Sequence, residues 1–276
     1  MKKTWIAWPY MCWAAVFTLV PMFLIVYYGF SVVNENGEIV FSLANYKEFF
    51  QSEIYMAALW RSIWFSAVAT IICLIIGYPV AYILARSDFK NKNFLLSILV
   101  VPMWMNLLLR TYAWMMLLDN NGLINSLLSL IGIGNIKMLY NEQAIIFGMV
   151  YNFLPFMILP IHSVLVKLDK HAIEAAQDLG ANRKEVFKRV IFPLSIPGVV
   201  SGITMVFMPA VTTFAISDIL SGKKISLMGN LIENQFVRQD NWHLGAAISI
   251  VLIIIILASM FVTSKYEKDD ERGGLF

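Results

Sequence analysis

Long stretches without a single Asp, Glu, Lys or Arg dominate this chain of 276 residues and restrict its fold more than any other feature. A helix that crosses a bilayer needs about 20 mostly apolar residues. Five such stretches occur, and a sixth is interrupted only by Arg110; in chain order the six are 4–34, 62–85, 94–118, 143–166, 190–217 and 241–264. The sequence therefore predicts an all-α, polytopic membrane protein with six transmembrane helices.

The composition agrees with this prediction and excludes other classes of protein. Hydrophobic residues make up 59% of the chain, charged residues only 14%, and the mean hydropathy is +0.70. Soluble domains contain about 25% charged residues. An ordinary cytosolic enzyme, a disulfide-stabilised scaffold and a disordered chain are therefore all excluded.

The distribution of basic residues predicts the orientation in the membrane, because Lys and Arg concentrate in cytoplasmic segments. Fourteen of the 21 basic residues lie at the N-terminus, in the loops 86–93 and 167–189, and in the tail, whereas five lie in the alternate segments. Both termini are thus expected in the cytoplasm of a bacterial cell. Lys2 and Lys3 precede an uncharged stretch longer than the roughly 7–15 apolar residues of a signal peptide, so we expect the first helix to be retained.

Two segments on the predicted outer side have features of their own. Residues 31–60 carry four glutamates and are expected to form either a lid or docking surface or a merely solvated loop. Apolar residues in 122–133 follow helical spacing, which predicts a short helix in the outer membrane interface.

The cytoplasmic loop 167–189 contains signals for two helices. Asp169 is a suitable N-cap for the first, and Gly180 is a suitable left-handed stop. Asn182, followed by Glu185, predicts a capping pair for the second, which Pro193 and Pro197 are expected to end. The first helix would present a stripe of small apolar residues: Ala172, Ala175, Ala176 and Leu179. Such a stripe fits a docking surface for another protein, or else the hairpin only connects two spans.

The same loop resembles the EAA loop of ATP-binding-cassette importer permeases. The matching residues are Glu174, Ala175, Ala176, Gly180 and Pro193, with Val190 and Phe192 at positions where the family usually has Ile and Leu. The resemblance implies the six-helix type I importer permease fold, in which this loop couples the permease to an ATPase subunit. We therefore expect a first helix and external loop in 1–60, a permease core in 61–264 that includes the coupling loop 167–193, and a cytoplasmic tail in 265–276.

Further stretches narrow the resemblance to the B-type permease subunits of spermidine/putrescine importers. They are Leu154-Pro-Phe-Met157, Lys167-Leu-Asp-Lys170, Met208-Pro-Ala210, Ser217-Asp218, Gly229-Asn230 and Gln235-Phe236. The resemblance implies a polyamine substrate, a second and different permease subunit, a dimer of ATPase subunits and an external polyamine-binding protein, and no nucleic acid as a partner.

Catalytic and metal-binding residues are not expected in this chain. Gly222-Lys223-Lys224 lacks the glycine spacing and the hydroxyl residue of a phosphate-binding loop. The three histidines are far apart and lack the spacing of metal ligands. ATP and magnesium are accordingly expected to bind to the partner ATPase, and this chain to be a transport subunit without enzymatic activity.

Polar and aromatic residues on two spans suggest a pathway for a cation. On the fifth span, Thr204 and Met208 fall on one helical face that ends at Asp218, a carboxylate expected near the outer edge of the bilayer. The third span offers a stripe of Met103, Asn106, Arg110 and Trp114, with Trp104, Tyr112 and Asp119 nearby. Two interpretations of these rings are open: they bind an ammonium group, or they only form an interfacial belt. Arg110 is expected to pair with Asp218 or Asp119, or to extend to the interface.

Two other functions remain open from the sequence. One is a permease of the same fold for a different solute, such as an aminoalkylphosphonate, iron or sulfate. The other is a secondary transporter driven by an ion gradient, which would favour inverted repeats and a carboxylate in the middle of the membrane. Neither of those features is evident in the sequence.

Overall fold

A computed structural model describes residues 8–86 and 91–273, and side chains are described to Thr263 with the exception of Asn93. Lys2, Lys3 and Lys90, which the orientation argument uses, lie outside the described residues. The helices are α1 Trp8–Gly29, α2 Ala44–Gln51, α3 Glu53–Arg86, α4 Lys92–Trp104, α5 Leu107–Leu118, α6 Leu123–Leu130, α7 Glu142–Lys167, α8 Lys170–Asp178, α9 Arg183–Val186, α10 Phe192–Thr212, α11 Ala215–Ser221, α12 Met228–Glu233 and α13 Trp242–Gly273. Two π-helical segments, Phe187–Ile191 and Asn234–Arg238, follow α9 and α12.

The described part of the chain contains five helices long and apolar enough to span a membrane, and a bent helix pair that makes a sixth. This arrangement confirms the predicted all-α membrane fold. The short interfacial helix expected in 122–133 is present as α6.

Helices α3, α7 and α10 form the centre of the bundle. Met149, Met157 and Ile161 of α7 are fully buried there. A β-carbon at Gly202 would lie 2.7 Å from the sulfur of Met157, so the glycine lets α10 approach α7 closely. Gly148 has the same effect at the other end of α7, where its missing side chain makes room for Leu220 of α11. The core therefore determines where α11 lies.

The first helix lies at the margin of this bundle. Gly29 is the one buried residue of α1, and the principal helix contact of α1 is with α13. The uncharged stretch 4–34 thus contains a spanning helix, as predicted, although the helix ends at Gly29.

The external segment between α1 and α3 is folded rather than open. Strands β1 (Ser31–Val33) and β2 (Ile39–Phe41) pair antiparallel, with Gly37 in the turn between them at a φ of +80°. Helix α2 follows, and α3 begins at Glu53. The second span therefore starts earlier than residue 62, where the uncharged stretch begins, because exposed charged residues extend the helix beyond its apolar part.

The third span is not one continuous helix. The segments Phe94–Trp104 and Leu107–Leu130, the second of which contains α5 and α6, lie at an angle of 97°. The chain is extended at Met105 and Asn106, between α4 and α5. The Asn106 side chain accepts the Leu108 N–H at 2.8 Å and so caps the start of α5. The predicted continuous stripe from Met103 to Trp114 is therefore wrong.

The fifth span differs from the prediction at both ends. Pro193 and Pro197 do not end a helix, because the π-helical segment Phe187–Ile191 leads directly into α10. Pro193 lies in the first turn of α10, where the lack of a backbone N–H is tolerated. At the other end, α10 stops at Thr212, and Thr213 is extended before α11 begins. Asp218 thus lies on a separate short helix and not on the face that carries Thr204 and Met208.

Candidate functional site

The hairpin formed by α8 and α9 has the capping structure that the sequence predicts. Asp169 accepts the His171 N–H at 2.9 Å at the start of α8. Gly180 has a φ of +86°, and hydrogen bonds from Gly180 N to Gln177 O and from Ala181 N to Ala176 O close the end of the helix. Asn182 and Glu185 form a reciprocal capping box for α9. The hairpin is therefore a well-defined structure held by local hydrogen bonds.

Three of the five predicted coupling residues lie on the exposed face of this hairpin, whereas Pro193 lies in the first turn of α10. Ala176 packs partly against the core, whereas Glu174, Ala175 and Gly180 are exposed and Leu179 is 89% exposed. A groove of about 370 Å³ runs between α8 and the start of α9 and is lined by Ala176, Leu179, Gly180, Ala181, Glu185, Val186, Arg189 and Val190. An exposed leucine beside small residues and a groove fits the docking interpretation.

Aromatic contacts join the hairpin to the membrane bundle. Phe187 of the π-helical segment lies edge-on to the rings of Tyr78 and Tyr82 on α3, at centroid distances of 5.9 and 5.5 Å. The Tyr78 hydroxyl is 2.8 Å from the Ser195 hydroxyl at the start of α10, and both residues are buried. The hairpin is therefore in contact with α3, and α3 is linked to α10 by a hydrogen bond.

At the other end of the bundle, Asp218 lies beside a cavity of about 450 Å³. Its lining includes Tyr112, Met115, Tyr140, Phe214, Asp218 and Lys223. The structure thus brings together Asp218 and Tyr112, which the sequence placed on different spans. A half-buried carboxylate beside aromatic rings can bind an ammonium group through charge and ring-face attraction.

A second, smaller cavity of about 160 Å³ adjoins Asp218 and is more polar. Lys223 lines both cavities, and the smaller one also contains Asn230, Glu233 and Arg238. Glu233 and Arg238 form an ion pair at 3.8 Å. Asp218 is accordingly shared by the two cavities and accessible from either.

Five of the predicted pathway residues do not line these two cavities. Trp104 is 83% exposed at the end of α4, and Asp119 is the C-cap of α5. Trp114 packs edge-on against Phe147 and Tyr151, with ring centroids 4.7 and 5.0 Å away. Thr204 and Met208 are half-buried on α10, and the Thr204 hydroxyl donates to Val200 O.

Arg110 makes neither of the ion pairs considered from the sequence. It is 8% exposed, and no contact within 4.0 Å joins it to Asp218 or Asp119 in the ranges the structure describes. Its Nε atom is enclosed without a hydrogen-bond partner among those residues. The side chain is also enclosed by neighbouring residues and does not extend away from the protein.

Sequence reasoning did not assign roles to three residues that shape these sites. Asn230 donates to Asp218 at 2.6 Å, Tyr140 lines the larger cavity, and Ser195 bonds Tyr78. A neutral amide or hydroxyl in an apolar chain is a weak signal by itself. Only the Gly229-Asn230 pair was visible beforehand, as part of the resemblance.

The family of the chain follows from a comparison with family models. The model described as "binding-protein-dependent transport system inner membrane component" matches residues 77–268. The chain belongs to this family. The matched region includes the α8–α9 hairpin and the helices around Asp218, so both sites are parts of a multi-pass inner-membrane permease.

Relatives and solved structures agree with this family. The chain is 38% identical over 260 residues to the spermidine/putrescine transport system permease protein PotB of Haemophilus influenzae, covering 93% of this chain and 91% of the relative. It is 37% identical over 248 residues to PotB of Escherichia coli K12, covering 88% and 90%. A bacterial ABC transporter that imports the acidic polysaccharide alginate contains a chain with the same fold, with a TM-score of 0.79, 16% identity and 96% of both chains covered.

Proposed function

We propose that this permease subunit imports polyamines, such as spermidine and putrescine, as half of a heterodimeric pore. The names of the relatives support this substrate class. The observation that carries the proposal is the half-buried Asp218 carboxylate beside Tyr112 and Tyr140, in a cavity large enough for part of a linear cation. Carboxylates and ring faces attract ammonium groups, and a linear polycation offers several of them.

The energy for transport comes from a separate ATPase dimer, which binds ATP and magnesium. The exposed face of α8 and its groove form the surface on which an ATPase subunit docks. When the ATPase dimer closes, the hairpin moves with it, and the Phe187 and Tyr78 contacts carry this movement to α3 and α10. The pore then opens outward, toward an external polyamine-binding protein. In this arrangement both termini lie in the cytoplasm.

The role of Asp218 can be tested with the assembled transporter in proteoliposomes that contain ATP. We expect Asp218→Asn to lower the uptake of labelled spermidine by about 10-fold or more, because it removes the charge that attracts the ammonium group. Assembly and basal ATP hydrolysis should be retained. Glu38→Gln, which removes an exposed carboxylate from the outer hairpin, is the matched control and should transport normally. Normal uptake by Asp218→Asn would exclude this carboxylate from the pathway.

The same vesicles distinguish the proposed substrate and energy source from the alternatives. Unlabelled spermidine should compete for uptake, whereas iron, sulfate and aminoalkylphosphonates should not. Uptake should continue when ATP is supplied and the membrane potential is collapsed. Loss of uptake under that condition would indicate an ion-gradient-driven transporter instead.

A further inference from the structure

Asp218 is held in place by one buried amide. Asn230 of α12 is 7% exposed, and its Nδ2 lies 2.6 Å from Asp218 Oδ1 and 3.0 Å from the Phe214 carbonyl oxygen. Phe214 and Thr213 are the two residues between the end of α10 and the start of α11. A single side chain therefore bonds both the carboxylate and the backbone at the break in the fifth span.

The orientation of this amide follows from its other partners. Asn230 Oδ1 lies 2.8 Å from the Leu227 N–H, which can only donate. The atom facing Leu227 must therefore be the oxygen, and the NH₂ group must face Asp218 and Phe214, whose carbonyl can only accept. The Ser217 hydroxyl is 2.7 Å from the same Oδ1 and 2.8 Å from the Phe214 carbonyl oxygen, and its single proton is available to either. Both N–H groups of the amide are used, and Oδ1 faces the Leu227 N–H and the Ser217 hydroxyl, so Asn230 has no free group for a ligand.

Contacts with two other helices set the position of Asn230. The Met228 N–H donates to the Ser62 hydroxyl of α3 at 2.8 Å. A β-carbon at Gly229 would lie 2.5 Å from the Thr212 carbonyl oxygen, so only glycine allows α12 to approach the end of α10 this closely. The position of α12, and therefore of the Asn230 amide, is thus set by contacts with helices other than α11, which carries Asp218.

The second carboxylate oxygen of Asp218, Oδ2, lacks the kind of contact that holds Oδ1. No hydrogen bond or ion pair joins Asp218 Oδ2 to any residue within 8–86 and 91–273, and Asp218 borders both cavities. A carboxylate with one oxygen fixed and the other open has a defined direction in which it can bind a cation.

We propose that Asn230 is a positioning residue for transport: it fixes Asp218 Oδ1 so that Oδ2 points to an ammonium group of the substrate in the cavity. The inference rests on the proposed function, since it requires a cationic substrate at Asp218. Asn230 itself does not contact the substrate.

A double-mutant cycle tests whether Asn230 acts through Asp218. The reconstituted transporter, assembled with its partner chains, is assayed for the initial rate of labelled spermidine uptake at saturating substrate. Because a hydrogen bond to a charged group is removed, we expect Asn230→Ala to lower the rate about 10-fold. The Asp218→Asn, Asn230→Ala double variant should be no slower than Asp218→Asn alone, since the group that Asn230 positions is already gone. If the two losses multiply instead, Asn230 has a separate, structural role and the proposal is wrong.

Two further variants keep the test decisive if Asn230→Ala fails to assemble. Asn230→Asp keeps the size of the side chain but faces Asp218 with an acceptor, and should lose at least as much uptake. Ser217→Ala removes only the hydroxyl behind the amide and should cost about threefold, an effect absent in the Asp218→Asn background. Wild-type uptake by an assembled Asn230→Asp or Ser217→Ala variant would overturn the proposal.

One control variant is needed, and the outcomes distinguish a failure of the proposed cation site from a failure of the positioning role. Asn120→Ala removes an exposed amide that lines neither cavity, and should transport at the wild-type rate. Slow uptake by this control would attribute the losses to the removal of any amide and overturn the proposal. Normal uptake by Asp218→Asn would refute the proposed cation site, whereas impaired uptake by Asp218→Asn with normal uptake by Asn230→Asp would refute the positioning role alone.

Discussion

At the scale of single residues, the contact between Tyr78 and Ser195 is the polar link between the second and fifth spans near the hairpin. Both side chains are buried, and Ser195 can also donate to the Phe192 carbonyl. A buried hydroxyl that loses its partner has no water to replace it, so the Tyr78 hydroxyl depends on this contact, whereas Ser195 keeps the Phe192 carbonyl.

Tyr78→Phe tests this link because it removes one hydroxyl and leaves the ring against Phe187. We expect the purified complex to be destabilised by about 1 kcal/mol, seen as a lower midpoint of thermal unfolding. More ATP should also be hydrolysed per spermidine imported, since α3 and α10 would no longer move as one unit. Tyr82→Phe is the control, because the Tyr82 ring also contacts Phe187 but its hydroxyl bonds no residue in the described ranges. An equal effect of both substitutions would contradict the role of the hydrogen bond.

Single residues also show where prediction from the sequence ends. Asp218 was identified because a carboxylate in an apolar stretch is costly and therefore suggests a function. Asn230 carries no charge and lies on a helix of six residues, so its role becomes visible only when α12 and α11 are seen side by side. The pairing of Arg110 was wrong for the same reason, because sequence spacing does not show which helices face each other.

At the scale of elements, the hairpin depends on one backbone conformation. Gly180 adopts a left-handed φ, and no atom lies within 4 Å of the place where its β-carbon would be. A larger side chain at this position therefore meets free space, and the free-energy cost of substituting Gly180 comes from the backbone conformation alone.

Gly180→Val should consequently weaken the turn between α8 and α9 by about 1–2 kcal/mol. We expect less ATPase subunit to co-purify with the permease and less ATP hydrolysis to be coupled to uptake. Gly132→Val is a suitable control, because Gly132 also has a left-handed φ and open space but lies after α6, away from the hairpin. Equal uptake and co-purification by the two variants would rule out a coupling role for the hairpin.

The two broken spans mark the limit of prediction at this scale. An uncharged stretch is the same whether its helix is straight or bent, so hydropathy predicted the third and fifth spans but not their breaks. Asn106 is a suitable capping residue, yet its spacing from Met103 and Arg110 also fits a stripe on a continuous helix. The hairpin was predicted in more detail because its caps are local interactions between residues a few positions apart.

At the scale of the whole molecule, the orientation in the membrane is the remaining prediction from the basic residues. Lys184 is exposed on the hairpin of α8 and α9, and Asn36 is exposed in the turn between β1 and β2. The distribution of basic residues predicts that these two positions lie on opposite sides of the membrane.

A membrane-impermeant maleimide tests this directly in a background with Cys12→Ser and Cys73→Ala. We expect Lys184→Cys to react only in inverted vesicles and Asn36→Cys only in intact spheroplasts. The reverse pattern would place the termini outside the cell and the hairpin out of reach of a cytoplasmic ATPase.

The position of α1 at the margin of the bundle has a consequence for biosynthesis. Its principal partner among the helices is α13, which is synthesised after every other described helix. The first span therefore lacks its principal intramolecular neighbour until α13 has been made. During that interval the apolar surface of α1 needs another cover, such as lipid, the insertion machinery or another subunit. The order of synthesis thus separates the insertion of α1 from its packing against α13.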